Sequence, residues 1–203
     1  MKIAVVGASG NAGSRIVAEL SRRGHHVTAI ARNPDKIAAL PQVTAVEGDA
    51  QDQAALTALL AGRDVAISSI HFLASDPAKL IGAAKGSGVG RYLVVGDAGS
   101  LEVAPGVRLV TTPGFPAQYK AEAEKGGAFL DLLAQEKDLN WTFLSPSALF
   151  TAGERTGKFR LGTDQLLTGS DGKSWISFED FAVALADEIE RPGHIRKRFT
   201  VGY

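Results

Sequence analysis

The chain has 203 residues, with 22 Lys+Arg balanced by 22 Asp+Glu, 45% hydrophobic residues, 23 Gly and no Cys. This length suits one domain with a substantial core, and the ordinary mix of charged and apolar residues argues against disorder. A net charge of zero removes the broad electrostatic footprint of a nucleic-acid binder, and the lack of Cys excludes disulfides, thiolate metal sites and a cysteine nucleophile.

The apolar run Ile3-Ala4-Val5-Val6 stops at Gly7. It is too short for a secretory leader, and no later stretch reaches the length of a membrane span. A soluble cytoplasmic protein is expected, with no membrane or nucleic-acid partner and no metal. Strands are predicted at 3–6, 27–31, 43–47, 65–69 and 92–95, and helices at 11–23, 34–40, 53–60 and around 79–85. The short apolar runs lack strict alternation, as in strands covered on both faces, and strand–helix alternation indicates a doubly wound parallel α/β sheet. Further on come a long helix at 119–135, a strand at 141–144, a helix at 178–190 and a last strand at 198–201. Between them, Ser170-Asp171-Gly172 separates Leu166-Leu167 from Ser174-Trp175-Ile176, which predicts a β-hairpin. We read one domain over 1–203, with residues from about 147 onward forming a small carboxy-terminal elaboration on the substrate side.

Gly7-Ala8-Ser9-Gly10-Asn11-Ala12-Gly13 follows the first strand and opens the first helix. Gly7 permits a tight turn, Gly10 lets the backbone approach a pyrophosphate, and Gly13 lets the helix pack closely on the strand. Amides and dipole at the helix start favour phosphate, so the loop predicts nucleotide binding. At the tip of the second strand, an NAD enzyme normally carries an acid for the ribose hydroxyls. Here the tip reads Arg32-Asn33-Pro34, and Arg32 would pair with a 2′-phosphate and stack over adenine. NADP(H) is therefore expected over NAD(H). Ser68, Ser69 and Ile70 follow the fourth strand, at the sheet edge where ligands sit, and would line the ribose and nicotinamide side. His71 is either a substrate contact or a plain loop residue.

The spacing G-x-x-G-x-x-G, with Ser9 where a second Gly would stand in G-x-G-x-x-G, resembles the extended and atypical short-chain dehydrogenase/reductase superfamily. That resemblance implies a Rossmann-like fold and a nicotinamide coenzyme. It also places Asp49 at the adenine amino group and Ala50 beside the ring, although Asp49 reads equally well as a turn or helix cap. Alcohol-handling members use Tyr-x-x-x-Lys as proton donor and its activator. Tyr119 opens the long helix in the right region, but the residue four on is Ala123, and Lys120 points about 100° away. The acid–base pair is incomplete. Ser100 lies slightly beyond the usual place of the catalytic serine and would hydrogen-bond substrate or carboxamide; Asp97 either carries charge near the reacting ring or caps its turn.

Residues 91–101 (RYLVVGDAGSL), 139–146 (LNWTFLSP), 153–157 (GERTG) and 176–182 (ISFEDFA) resemble the NAD(P)H-flavin reductase group of this superfamily. The group is similar to biliverdin reductase B/flavin reductase proteins and to nitrogen-metabolite-repressor-like sensors. The resemblance implies hydride transfer from NADPH to a flavin, a substrate rather than a bound group, or to a similar planar acceptor. That reaction suits a missing acid, because orientation of stacked rings does most of the work. Candidate walls of the acceptor slot are Phe72, Phe115, Pro116 and Phe150. Arg155 would bind a flavin phosphate or pair with Glu154. A dinucleotide-binding redox sensor and an epimerase or dehydratase are the competing readings, and the protein is expected to be a monomer or homodimer.

Overall fold

In the computed structural model, which describes residues 1–203, the amino-terminal strands send their apolar side chains alternately to two faces. Ile3 and Val5 enter one core cluster, whereas Ala4 and Val6 enter the other. Strands with this pattern must be covered on both sides. The elements run β1 (Lys2–Val6), α1 (Asn11–Arg22), β2 (His26–Ala31), β3 (Val43–Glu47), α2 (Gln53–Leu60), β4 (Val65–Ser68), α3 (Pro77–Ser87) and β5 (Arg91–Val95). They continue with β6 (Glu102–Ala104), β7 (Val107–Arg108), α4 (Ala117–Gln135), β8 (Trp141–Pro146), β9 (Leu149–Thr151), β10 (Arg160–Gly162), β11 (Trp175–Ser177), α5 (Phe178–Glu190) and β12 (Lys197–Gly202). Local chemistry sets several starts: Asp52 accepts from the Ala55 amide at 3.0 Å to cap α2, and Ser177 accepts from Asp180 at 2.9 Å to cap α5.

The main sheet has the order β10-β12-β8-β5-β4-β1-β2-β3. All neighbours are parallel except the antiparallel edge strand β10. Helices α1 and α5 pack on one face, and α2, α3 and α4 supply the other core cluster. This is a Rossmann-like α/β fold. The order reverses between β1 and β4, and such a switch point opens a crevice at the carboxyl ends of the strands.

Two expectations are corrected. The segment predicted as a helix at 34–40 is only a single 3-10 turn, Pro34–Lys36, followed by extended Ile37. Pro41 disfavours helix at Leu40, and both Ile37 and Leu40 turn onto the core. The predicted hairpin after residue 166 also fails to form. Its turn closes, with the Gly172 amide donating to the Gly169 carbonyl at 3.0 Å, but the flanking segments diverge. Fully buried Ile176 goes to the core and β11 pairs in parallel with β9, while the Leu166 amide donates to the Glu102 carbonyl.

Candidate functional site

The crevice begins at the turn between β1 and α1. Gly7 has φ +84°, a conformation costly for any L side chain, and a Cβ there would run into the Ser69 carbonyl after β4. A Cβ on Gly13 would strike the Gly7 carbonyl. The turn, the first helical turn and the end of β4 therefore close on one another with no room for side chains. Gly10 caps α1 without a side-chain partner, no acid stands in the first turn, and the first intrahelical bond runs from the Ser14 amide to the Gly10 carbonyl. The amides of Asn11, Ala12 and Gly13 stay open for an anion, which suits a pyrophosphate.

One lobe of the crevice encloses about 250 Å³ between this loop, the tip of β2 and the loop after β3. Arg32 stands exposed on its lining with no ion-pair partner, Ala50 and Ile70 supply apolar surface, and Ser9 and Ser69 lie on the loop side. Asp49 accepts from the Gln51 amide at 2.9 Å, so the turn role and a place on the wall hold together. Gln51 in turn donates to the Ala74 carbonyl at 3.0 Å, tying the loop after β3 to the loop after β4. Asn33 is occupied differently: its side-chain oxygen accepts from Asp35 at 3.1 Å and caps the 3-10 turn.

A second lobe of about 440 Å³ continues past Gly10, Ser69, Ile70 and His71, which line both spaces. Asn11 and Ala12 border it, and Phe72, Val95, Phe150 and Phe178 make it apolar. The Phe150 ring meets Phe178 at 4.5 Å and Phe181 at 4.7 Å, with Arg15 lying 5.8 Å over Phe178. From α4 come Tyr119, 61% exposed, and Glu122. Glu122 accepts from the backbone amides of Phe72 at 2.6 Å and Leu73 at 2.9 Å, with His71 Nδ1 at 3.3 Å. One carboxylate thus clamps the loop that divides the two lobes.

Other residues picked from the sequence lie elsewhere. Ser68 is buried in the sheet and absent from both linings. Ser100 is also buried: its hydroxyl donates to Asp97 at 3.0 Å and accepts from Arg198 at 3.2 Å. Burial pushes the Asp97 carboxyl above the usual range, and a Cβ on Gly126 of α4 would collide with it. Arg155 pairs with Glu19 of α1, at 2.7 and 2.8 Å, rather than with Glu154 or the crevice. Phe115 is half-buried in the loop before α4 and outside both linings, like Pro116. Sequence reasoning missed Glu122, Phe178 and Gln51. Glu122 had a signal, since it stands three residues after Tyr119 and shares its helix face. No helix of the molecule is long and apolar enough to cross a membrane.

Residues 7–192 match the family model described as NAD(P)H-binding. The chain is 41% identical to the uncharacterised protein YwnB of Bacillus subtilis, over 99% of this chain and 98% of that protein. Among solved structures, it is 37% identical to one from Bacteroides thetaiotaomicron described as a "putative epimerase", with a TM-score of 0.95 over 100% of this chain and 96% of that one. It is 36% identical to a Streptococcus pneumoniae protein described as a "putative NADH-flavin reductase", with a TM-score of 0.86 over 100% and 99% of the two chains. The open amides at α1, the crevice at the switch point and these matches lead to one conclusion: the chain belongs to the NAD(P)H-binding family, with an oxidoreductase-like fold.

Proposed function

We propose that the protein is an NADPH-dependent reductase that passes hydride to a flavin or a similar planar acceptor. The observation that carries this reading is the continuity of the two lobes: an anion-binding turn with Arg32 on one side, and an aromatic slot without a Tyr–Lys pair on the other. Bound NADPH supplies a hydride, and reducing a flavin consumes that hydride and one proton, which water can deliver.

The chain's own residues bind and orient. The amides of Asn11 to Gly13 hold the pyrophosphate. Arg32, unpaired in the protein, takes the 2′-phosphate, for which a guanidinium fork is well matched. Ile70 and His71, which line both lobes, mark where nicotinamide and acceptor meet, while Phe150, Phe178 and Tyr119 flatten the acceptor against the crevice. An epimerase or alcohol dehydrogenase would need a proton donor, and Ala123 stands where the lysine would activate one.

The test is NADPH oxidation in the presence of riboflavin, FMN or a quinone. Turnover that depends on the added acceptor is expected. Tight NADPH binding with no turnover on any flavin or quinone would overturn the reading and favour the redox sensor.

A further inference from the structure

We infer that the acceptor lobe selects planar rings that carry no phosphate or sulfonate, so that riboflavin or a neutral quinone is preferred over FMN. This rests on the reductase reading and specifies the substrate class of the same lobe. No Lys or Arg lines the lobe; its ionisable side chains are Glu122, His71 and Tyr119. Glu122 is held in place by the Phe72 and Leu73 amides, so its carboxylate cannot swing away from an incoming ligand.

The nearby cations are already committed. Arg155, the sequence candidate for a flavin phosphate, is bidentate to Glu19. Arg15, over the Phe178 ring, bonds Glu179 at 3.1 Å. Lys120 follows Tyr119 but turns around α4 into a separate groove with Arg108 and Glu124. His71 is itself engaged by Glu122, its Nδ1 lying 3.3 Å from the carboxylate. An anionic tail on a ring seated in this lobe would approach a fixed carboxylate with no counter-cation. Unpaired Arg32 lies on the other lobe, and the Asn11 and Ala12 amides that border this one hold the coenzyme pyrophosphate once the dinucleotide is bound. Positive potential is reserved for the dinucleotide.

The experiment titrates riboflavin and FMN by flavin fluorescence into protein saturated with NADP+ at about pH 8. In parallel, kcat/KM is measured with NADPH for both flavins and for 1,2-naphthoquinone against its 4-sulfonate. The uncharged member of each pair is expected to bind and turn over better by roughly five- to tenfold, a difference that shrinks as salt screens the repulsion. Glu122→Gln is expected to narrow each ratio to about twofold, because the amide loses the charge while keeping one acceptor oxygen, enough for one of the two loop amides. Should that variant fail to fold, the salt dependence of the unaltered protein decides the point. FMN binding and turning over as well as riboflavin, at low salt, would overturn the selectivity while leaving the reductase reading intact. Turnover of neither member of either pair would overturn the reductase reading itself.

Discussion

In the lobe proposed for the coenzyme, the shape is set by backbone: a turn that only Gly7 tolerates, with the single side chain of Arg32 on its wall and the Asn11 and Ala12 amides opening where it continues into the second lobe. The acceptor lobe instead draws side chains from the loop after β4, from α4, from β9 and from the start of α5. One wall is held by Glu122, which reaches from α4 to the amides of Phe72 and Leu73 on the dividing loop; outside the lobe, Glu19 holds the 153–158 segment through Arg155. The contrast shows two ways to make a pocket. A backbone site needs a short contiguous motif and absolute small size, whereas a side-chain site needs distant segments pinned in register and tolerates changes at single positions.

Gly13→Val tests the first half most severely. The added carbons would push α1 off the Gly7 carbonyl, and no flexible side chain is available to yield. NADPH affinity is expected to fall by about a hundredfold or more, with a loss of several degrees in Tm. Calorimetric titration and thermal unfolding check it; unchanged affinity would mean that close helix–turn packing is not what forms the site. Arg32→Asp comes next. Losing a charged, bidentate contact costs about 1.5–3 kcal/mol, so NADPH is expected to weaken by tenfold or more while NADH changes little. An equal loss for both would remove Arg32 from the 2′-phosphate.

The same contrast explains what could be read from the sequence. Gly7, Gly10 and Gly13 are spaced by local geometry, so their arrangement is visible along the chain, as is the alternation of strand and helix. The helix at 178–190 is legible because Phe181, Ala184, Leu185 and Ile189 recur on one face. The acceptor lobe is set by long-range register. Nothing near residue 155 announces that Arg155 will find Glu19 on α1, and nothing near residue 175 announces that β11 will pair with β9 rather than fold back on Leu166. Ser100 reads, from its place after β5, as a hydrogen-bonding partner for substrate or carboxamide, yet tertiary packing buries it against Asp97 and Arg198.

Acid should loosen the tie between α1 and the 153–158 segment. Hydrogen bonds from Arg155, together with Arg23, outweigh burial and hold the Glu19 carboxyl down to about 2, from an ordinary value of 4.5. A carboxyl whose pKa falls on folding adds stability above its unfolded pKa, and that contribution disappears as pH drops through the folded value. The window here runs from about pH 4.5 down to about pH 2. Glu19→Gln is expected to lose about 2 kcal/mol near neutrality and to show a flatter stability profile across that window. Denaturant unfolding at stepped pH measures both. A parallel profile for variant and parent would show that the Glu19–Arg155 tie does not anchor the 153–158 segment.

The smallest expected effect is at Tyr119, and it bears on chemistry rather than on assembly. Tyr119 lines the acceptor lobe from α4, but one turn further along the helix stands Ala123, and Lys120 faces another groove. The phenol therefore has no lysine positioned to assist proton donation, and its contribution is the surface of its ring. Tyr119→Phe keeps that surface and removes only the hydroxyl. With a flavin acceptor, kcat is expected to change by less than about twofold, since proton transfer by a positioned acid is ordinarily worth a hundredfold or more and none of that is in use. Stopped-flow measurement of the reduction step, with NADPH saturating, isolates the chemistry from product release. A loss of a hundredfold or more would make Tyr119 a proton donor after all, and the acceptor lobe would then be built for carbonyl reduction rather than for bare hydride transfer between planar rings.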